Sequence, residues 1–271
     1  DECTGEVNFW NEAIDRKTWQ VMNSFHCPHC SAMVSKTNLS RKWISVLDTV
    51  TNKIVQKALQ VPTLIHYKVG SCTFTKSPDD YDLKLIEKTN QHLSGLWFPS
   101  DEIPDGDNTS QPKNSHGIKR VHEFFTSRAL AILASYNSKI QDSRHLINIT
   151  SSLLVLSKLY RFRSQGGSLG AGGGPMNGTL YVPSLIKEIP ALKVIRQHIE
   201  RSPKSCIGTK SNNSVLISSS SLTQSYGLKE NSIDYLFLDP PFGANINYSE
   251  LNYLWESWLK VFTNNQTEAI K

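Results

Sequence analysis

The chain has no apolar run approaching the ~20 residues that a membrane-crossing helix needs. Its first residues also lack the basic-then-apolar pattern of a signal peptide, so a cytoplasmic location is the expectation. No internal repeat is present, which sets aside a solenoid. Charge of one sign is not abundant: 29 Lys and Arg against 24 Asp and Glu leave +5, which tolerates a polyanionic partner but falls short of a dedicated basic patch. Hydrophobic residues at 38% and charged residues at 20% exclude a wholly disordered chain. Cysteine is sparse and odd in number, at five. Two of these form Cys27-Pro28-His29-Cys30, a spacing that in a cytosolic chain points to a metal before a disulfide.

Four stretches follow from the patterning. Residues 1–60 hold the cysteine cluster and the run 36–60, where Leu39, Trp43, Val46 and Leu47 predict a short helix. Residues 61–99 begin with Val61-Pro62-Thr63-Leu64-Ile65-His66-Tyr67, turn at Val69-Gly70-Ser71 and return through Cys72-Thr73-Phe74-Thr75, which predicts a β-hairpin. Residues 100–118 are rich in Asp, Asn, Pro, Gly and Ser and read as a loop or linker. Residues 119–271 alternate helical and strand patterns, as an α/β layer structure does.

The strongest chemical signal is Asp239-Pro240-Pro241-Phe242, which ends the apolar run Ile233-Asp234-Tyr235-Leu236-Phe237-Leu238. That run predicts a buried strand stopped by a Pro-Pro breaker. At ordinary residue frequencies the tetrapeptide arises by chance in roughly one chain per thousand of this length. Its chemistry suits an aryl amine, whose lone pair is delocalised and must rehybridise before the nitrogen can attack. Two acceptors aimed at the N–H bonds favour that geometry, and the Asp239 carboxylate and the Pro240 carbonyl are such a pair. Pro241 biases Pro240 toward an extended conformation and so fixes the carbonyl. Phe242 would stack on the base, returning roughly 1–3 kcal/mol against the few kcal/mol that extruding a base costs. Acceptors fixed in advance need no rearrangement as charge develops, and ligands of open α/β sheets sit at the carboxyl ends of strands.

The segment Asp239-Pro240-Pro241-Phe242, continuing through Gly243-Ala244-Asn245-Ile246-Asn247-Tyr248-Ser249-Glu250-Leu251 to Trp255 and Trp258, resembles the catalytic motif of N6-adenine and N4-cytosine DNA methyltransferases. With Gly178-Thr179-Leu180-Tyr181-Val182-Pro183-Ser184 and the early cysteines, it is similar to the adenine-specific DNA methylases that carry a zinc ribbon. The resemblance covers nearly the whole chain and is more specific for the branch than for the base. It implies a zinc-ribbon-like region at 1–60, a β-hairpin and linker at 61–115, and the N-terminal part of a Rossmann-like S-adenosylmethionine-dependent methyltransferase sheet at 116–271. DNA is the implied partner, with no membrane. Asp239, Pro240, Pro241 and Phe242 take the catalytic role, moving methyl to the amine of a flipped adenine; cytosine, a protein amide, or a non-catalytic DNA-binding remnant stay open.

His122-Glu123-Phe124-Phe125-Thr126-Ser127-Arg128 resembles the Phe-Phe-Thr-Pro type motif that holds S-adenosylmethionine in such enzymes, with Ser127 in place of Pro; Phe124, Phe125 and Thr126 are the implied cofactor residues. Val121, Phe124, Leu130, Leu133 and Tyr136 also fit the buried face of a helix, and His122 and Arg128 read as surface or structural groups. The chain departs from the family in its glycine turn. The candidate strand 146–156 runs into Ser157-Lys158-Leu159-Tyr160, the run 166–174 reads as a flexible loop, and 219–224 offers no acidic residue for a ribose. Later strands of the sheet are expected beyond Phe262, so a fragment is expected. Before that, Leu251, Leu254, Trp255, Trp258, Leu259 and Phe262 predict a helix with Ser249 as its N-cap, while Asn245, Asn247 and Tyr248 lie in the intervening loop. For zinc, Cys27, Cys30 and Cys3 are the implied ligands, Cys3 as second member of a pair whose first would lie before Asp1, with His26 and His29 as possible substitutes. Cys72 and Cys206 read as ordinary residues.

Overall fold

The computed structural model describes residues 3–164, 169, 172–205, 229–239 and 247–264. Among these residues the architecture is mixed α/β, with three separate antiparallel strand pairs and a helical core. Helix α1 (Phe9–Ala13) starts where Asn8 accepts the N–H groups of Trp10 and Asn11, and Trp10 packs edge-on against Phe162 with ring centres 4.9 Å apart. Strands β1 (Ser24–His26) and β2 (Met33–Ser35) form a ribbon that closes the cysteine knuckle between them.

The next pair corrects the helix expected in 36–60. Strands β3 (Trp43–Asp48) and β4 (Lys53–Ala58) pair from Trp43 opposite Ala58 to Asp48 opposite Lys53. The helical spacing of Leu39, Trp43 and Val46 was coincidental. Ile44, Val46, Ile54 and Val55 favour a pleated surface, and Asn52 at φ 54° supplies the left-handed turn that joins the strands. Strands β5 (Ile65–Val69) and β6 (Cys72–Lys76) form the hairpin expected in 61–75. Gly70 adopts φ 59° in its two-residue loop, and Tyr67 stacks on its cross-strand partner Phe74 at 5.6 Å.

Among the described residues five helices of eight or more residues and two shorter ones follow: α2 (Asp80–Gln91), α3 (Asp107–His116), α4 (Ser127–Asn137), α5 (Leu146–Thr150), α6 (Leu153–Leu156), α7 (Ala191–Ser205) and α8 (Tyr248–Leu259). No helix among the described residues is long and apolar enough to cross a membrane. The core sits among these helices, with Phe124, Leu133, Ile149, Leu153, Val182, Leu254 and Trp258 all nearly inaccessible.

Three further expectations are overturned. The stretch 146–156 is α5 and α6, not a strand. Its Leu and Ile residues meet other helices, so a continuous apolar run marks a buried helix segment, which periodicity alone does not separate from a buried strand. The stretch 100–118 contains α3, whose buried face is Thr109, Pro112 and His116, so no apolar stripe announces it. Gly117 ends it at φ 71°, where the N–H of Gly117 bonds Lys113 O and that of Ile118 bonds Pro112 O. Finally, 233–238 is neither buried nor a strand: Tyr235 is 81% exposed and Phe237 77%, with no ladder partner among the described residues. A strand needs a neighbour to satisfy its backbone groups. Among the described residues all strand pairing is antiparallel and two-stranded, so the doubly wound parallel sheet is not seen there.

Tertiary contacts fix the start of α3. The α8 residue Glu250, nearly buried, accepts the N–H of Asn108 at 2.7 Å and so caps a helix 142 residues away in sequence. A Cβ on Gly106 would fall 2.0 Å from Glu250 Oε1, so only glycine allows this approach. Gln111 on α3 holds the stretch 178–184 by two hydrogen bonds to Val182, donating to its carbonyl and accepting its N–H, both at 2.9 Å.

Candidate metal centre and the expected catalytic segment

The structure brings together the Sγ atoms of Cys3, Cys27 and Cys30, all within 4.8 Å of one another, with Cys3 and Cys27 at 3.7 Å. The knuckle follows from local geometry. Cys27 N–H donates to Ala32 O at 2.8 Å, Ser31 N–H donates back to Cys27 O at 2.9 Å, and Ser31 takes φ 63° to close the turn. The backbone N–H groups of Cys30 and then His29 point at the Cys27 sulfur and lower its pKa to about 7. Cys30 is pushed upward: the Ala32 N–H favours its thiolate, but the neighbouring thiols and burial outweigh it.

Cys3 reaches the knuckle because Gly5 lies against the His29 ring, where an added Cβ would meet His29 Cδ2 at 2.4 Å. His29 Nε2 bonds Glu6 O at 2.8 Å and His26 Nδ1 bonds Ser31 O at 3.0 Å, so each of the two rings is tied to a backbone carbonyl. Neither belongs to the thiol group. Three converging sulfurs, one readily ionised and held by N–H donors, fit a zinc ion, for which Cys3, Cys27 and Cys30 would supply three of four tetrahedral ligands. Bound there, the ion would cross-link the N-terminal segment to the ribbon. Cys72 is exposed on β6, and Cys206 lies outside the described residues.

The residues expected to handle cofactor and base are placed less uniformly. Phe124 and Phe125 are core residues, 1% and 4% exposed, and Thr126 caps α4 by accepting the N–H of Ala129 at 3.3 Å. Phe125 and Thr126 also line a broad cleft of about 2440 Å³ that runs from the cysteine cluster past Lys158. That space far exceeds the ~300–1,000 Å³ of an ordinary ligand pocket, so it is a groove between packed elements. Asp239 does not line it and is exposed at the end of the described stretch 229–239. Pro240, Pro241 and Phe242 lie outside the described residues, as do Asn245, the stretch 219–224 and most of the glycine-rich run 166–174.

The helix after the motif forms as expected over its body, but it starts at Tyr248 with Asn247, not Ser249, before it, and it ends at Leu259, so Phe262 lies beyond it and both Leu259 and Phe262 are exposed. Its Trp258 meets Phe125 edge-on with ring centres 6.2 Å apart, and Trp255 Nε1 donates to Thr150 O at 2.9 Å. Asp48, His122 and Glu123 also converge, with no local spacing to announce it, and His122 is thereby buried, not a surface group. Arg128 pairs with Glu188, its Nε donating to Oε1 at 2.8 Å.

No protein-family model matches the chain, and no curated protein or solved structure is significantly similar to it.

Proposed function

We propose that the chain is part of an S-adenosylmethionine-dependent DNA methyltransferase that modifies the exocyclic amine of a flipped adenine, built on a Rossmann-like sheet with a zinc-bearing N-terminal region. The observation that carries this reading is the contact between Phe125 and Trp258. It joins the segment Phe124-Phe125-Thr126, assigned to the cofactor, to the helix that directly follows Asp239-Pro240-Pro241-Phe242, assigned to the base. The Asp239 carboxylate is open to solvent, as a group that must receive an extruded base has to be. Its part is to accept one N–H of the amine, with the Pro240 carbonyl taking the other and Phe242 stacking on the ring. The described residues around Phe125 and Thr126 present no glycine turn after a strand, so they do not fit a cofactor pocket.

The test is transfer of labelled methyl from S-adenosylmethionine to DNA and, in parallel, to protein, by the wild type and Asp239→Ala. The expected result is transfer to DNA that falls by at least about 100-fold in the variant, the scale for removing a preorganised acceptor. Undiminished transfer by Asp239→Ala would remove this residue from the mechanism. The exposed apolar stretch 233–238 favours one second reading, a non-catalytic DNA-binding remnant, because no sheet among the described residues receives it. Calorimetry with S-adenosylmethionine separates the two: a folded protein that binds none supports the remnant.

A further inference from the structure

A second group of ligand-type side chains lies where the tip of the β3–β4 hairpin packs on the 3-10 turn Val121–Phe124. Asp48, His122 and Glu123 each offer one ligand atom within 4.8 Å of the others. All three are buried, with side chains 4%, 8% and 3% exposed. His122 Nε2 stands 3.5 Å from Asp48 Oδ1, and neither ring nitrogen makes a hydrogen bond to a described residue. An unmet polar atom in a protein interior keeps its full desolvation cost, so a buried imidazole in this state calls for a partner.

The two carboxylates are already oriented from behind. Asp48 accepts the Thr51 hydroxyl at 2.7 Å and the Val50 N–H at 3.0 Å. Glu123 Oε2 accepts the N–H groups of Lys119 and Arg120 at 2.6 and 2.9 Å. Each carboxylate has about four acceptor positions, so both keep capacity toward His122. Fixing ligands by such outer bonds is how metal sites are pre-shaped. Burial lowers the His122 pKa, and the charges of Glu123 and Asp48 oppose that shift. Burial alone would raise the Asp48 pKa, but the bonds from Thr51 and Val50 outweigh it and leave it lowered.

We propose that Asp48, His122 and Glu123 form a binding site for a first-row divalent cation, distinct from the thiol cluster and clamping the β3–β4 hairpin to the helical core. One imidazole and two carboxylates suit a harder ion than three thiolates do. The competing cation is built in: Lys57 Nζ lies 3.0 Å from Glu123 Oε1, and at 28% side-chain exposure it has a route to solvent. The enclosed Lys158 also acts on this region, and burial first, then the Lys57 charge, lowers its pKa to about 8.

The test is titration of the full chain with Mn2+, followed by loss of the free-ion electron paramagnetic resonance signal, because Mn2+ favours oxygen and imidazole over thiolate. The expected result is one saturable site whose affinity falls by at least about tenfold in His122→Gln and Asp48→Asn, and rises in Lys57→Gln. The site should persist in Cys27→Ser. Absence of saturable binding by the folded wild type overturns the proposal, as does binding that survives His122→Gln or disappears in Cys27→Ser. If the two ligand variants fail to fold, Lys57→Gln still decides: unchanged or weaker Mn2+ binding refutes the site.

Discussion

Replacing Glu250 by Ala removes the only side-chain acceptor that the described residues place at the N-terminus of α3, since Gly106 at the N-cap has none. The lost bond is short, charge-assisted and nearly buried, which puts its contribution at about 1.5–3 kcal/mol. A carboxylate at a helix N-terminus adds roughly 0.3–1 kcal/mol through the helix dipole. Together these predict a loss of about 2–4 kcal/mol for Glu250→Ala in urea unfolding at constant zinc. Glu250→Gln keeps an acceptor but no charge and should lose about half as much. Glu87→Ala, on the exposed side of α2, is the control and should stay within about 0.5 kcal/mol of wild type. Gly106→Ala sharpens the test, because its methyl would meet the Glu250 carboxylate. It should destabilise the wild type and cost far less in the Glu250→Ala background, a non-additivity expected of groups in contact. Additive effects, or a Glu250→Ala protein as stable as the control, would refute the capping account.

Other consequences are as direct. Gln111→Ala leaves the N–H and C=O of the inaccessible Val182 without their partners and should cost about 2 kcal/mol or more in the same unfolding assay; a loss below 0.5 kcal/mol on that scale, roughly the noise of a surface change, contradicts it. His116 is held to a pKa of about 3, first by burial and then by the charges of Arg41 and Lys158. The unfolded chain therefore binds a proton that the folded chain refuses: this contribution is complete above about pH 6.5 and is lost as pH falls toward 3. Stability should drop by up to about 1.4 kcal/mol per pH unit in that window, and His116→Gln should flatten the slope; an unchanged slope disproves it. Cys27→Ser and Cys30→Ser should each weaken zinc binding by at least about tenfold by competition with a chromogenic chelator. A wild-type melting temperature indifferent to zinc removal would deny the ion a structural role.

Legibility from sequence tracked how local the determinants are. The β5–β6 hairpin was readable because Gly70-Ser71 sets its own turn. Helix α8 was readable because Leu254 and Trp258 repeat at helical spacing on a face that is buried. The knuckle Cys27-Pro28-His29-Cys30 was readable for the same reason: its N–H donors and its sulfurs lie within four residues. The β3–β4 pair was misread because Leu39, Trp43, Val46 and Leu47 satisfy a helical template by position while their shapes favour a strand. Helix α3 escaped because its buried face is Thr109, Pro112 and His116, and its start is stabilised from α8.

By itself the sequence determined the chemistry on offer: a thiol pair at metal spacing, a carboxylate backed by two prolines, and the helix that follows them. These depend on residue identity and short-range order, which a chain carries whatever its fold. Only the tertiary structure decided which distant groups meet. It lays Cys3 on Cys27, sets Glu250 beneath α3, locks Gln111 to Val182, and gathers Asp48, His122 and Glu123 out of water. The physical reason is that such contacts span up to 142 residues and form only when burial of the shared core overcomes the entropy of closing those loops.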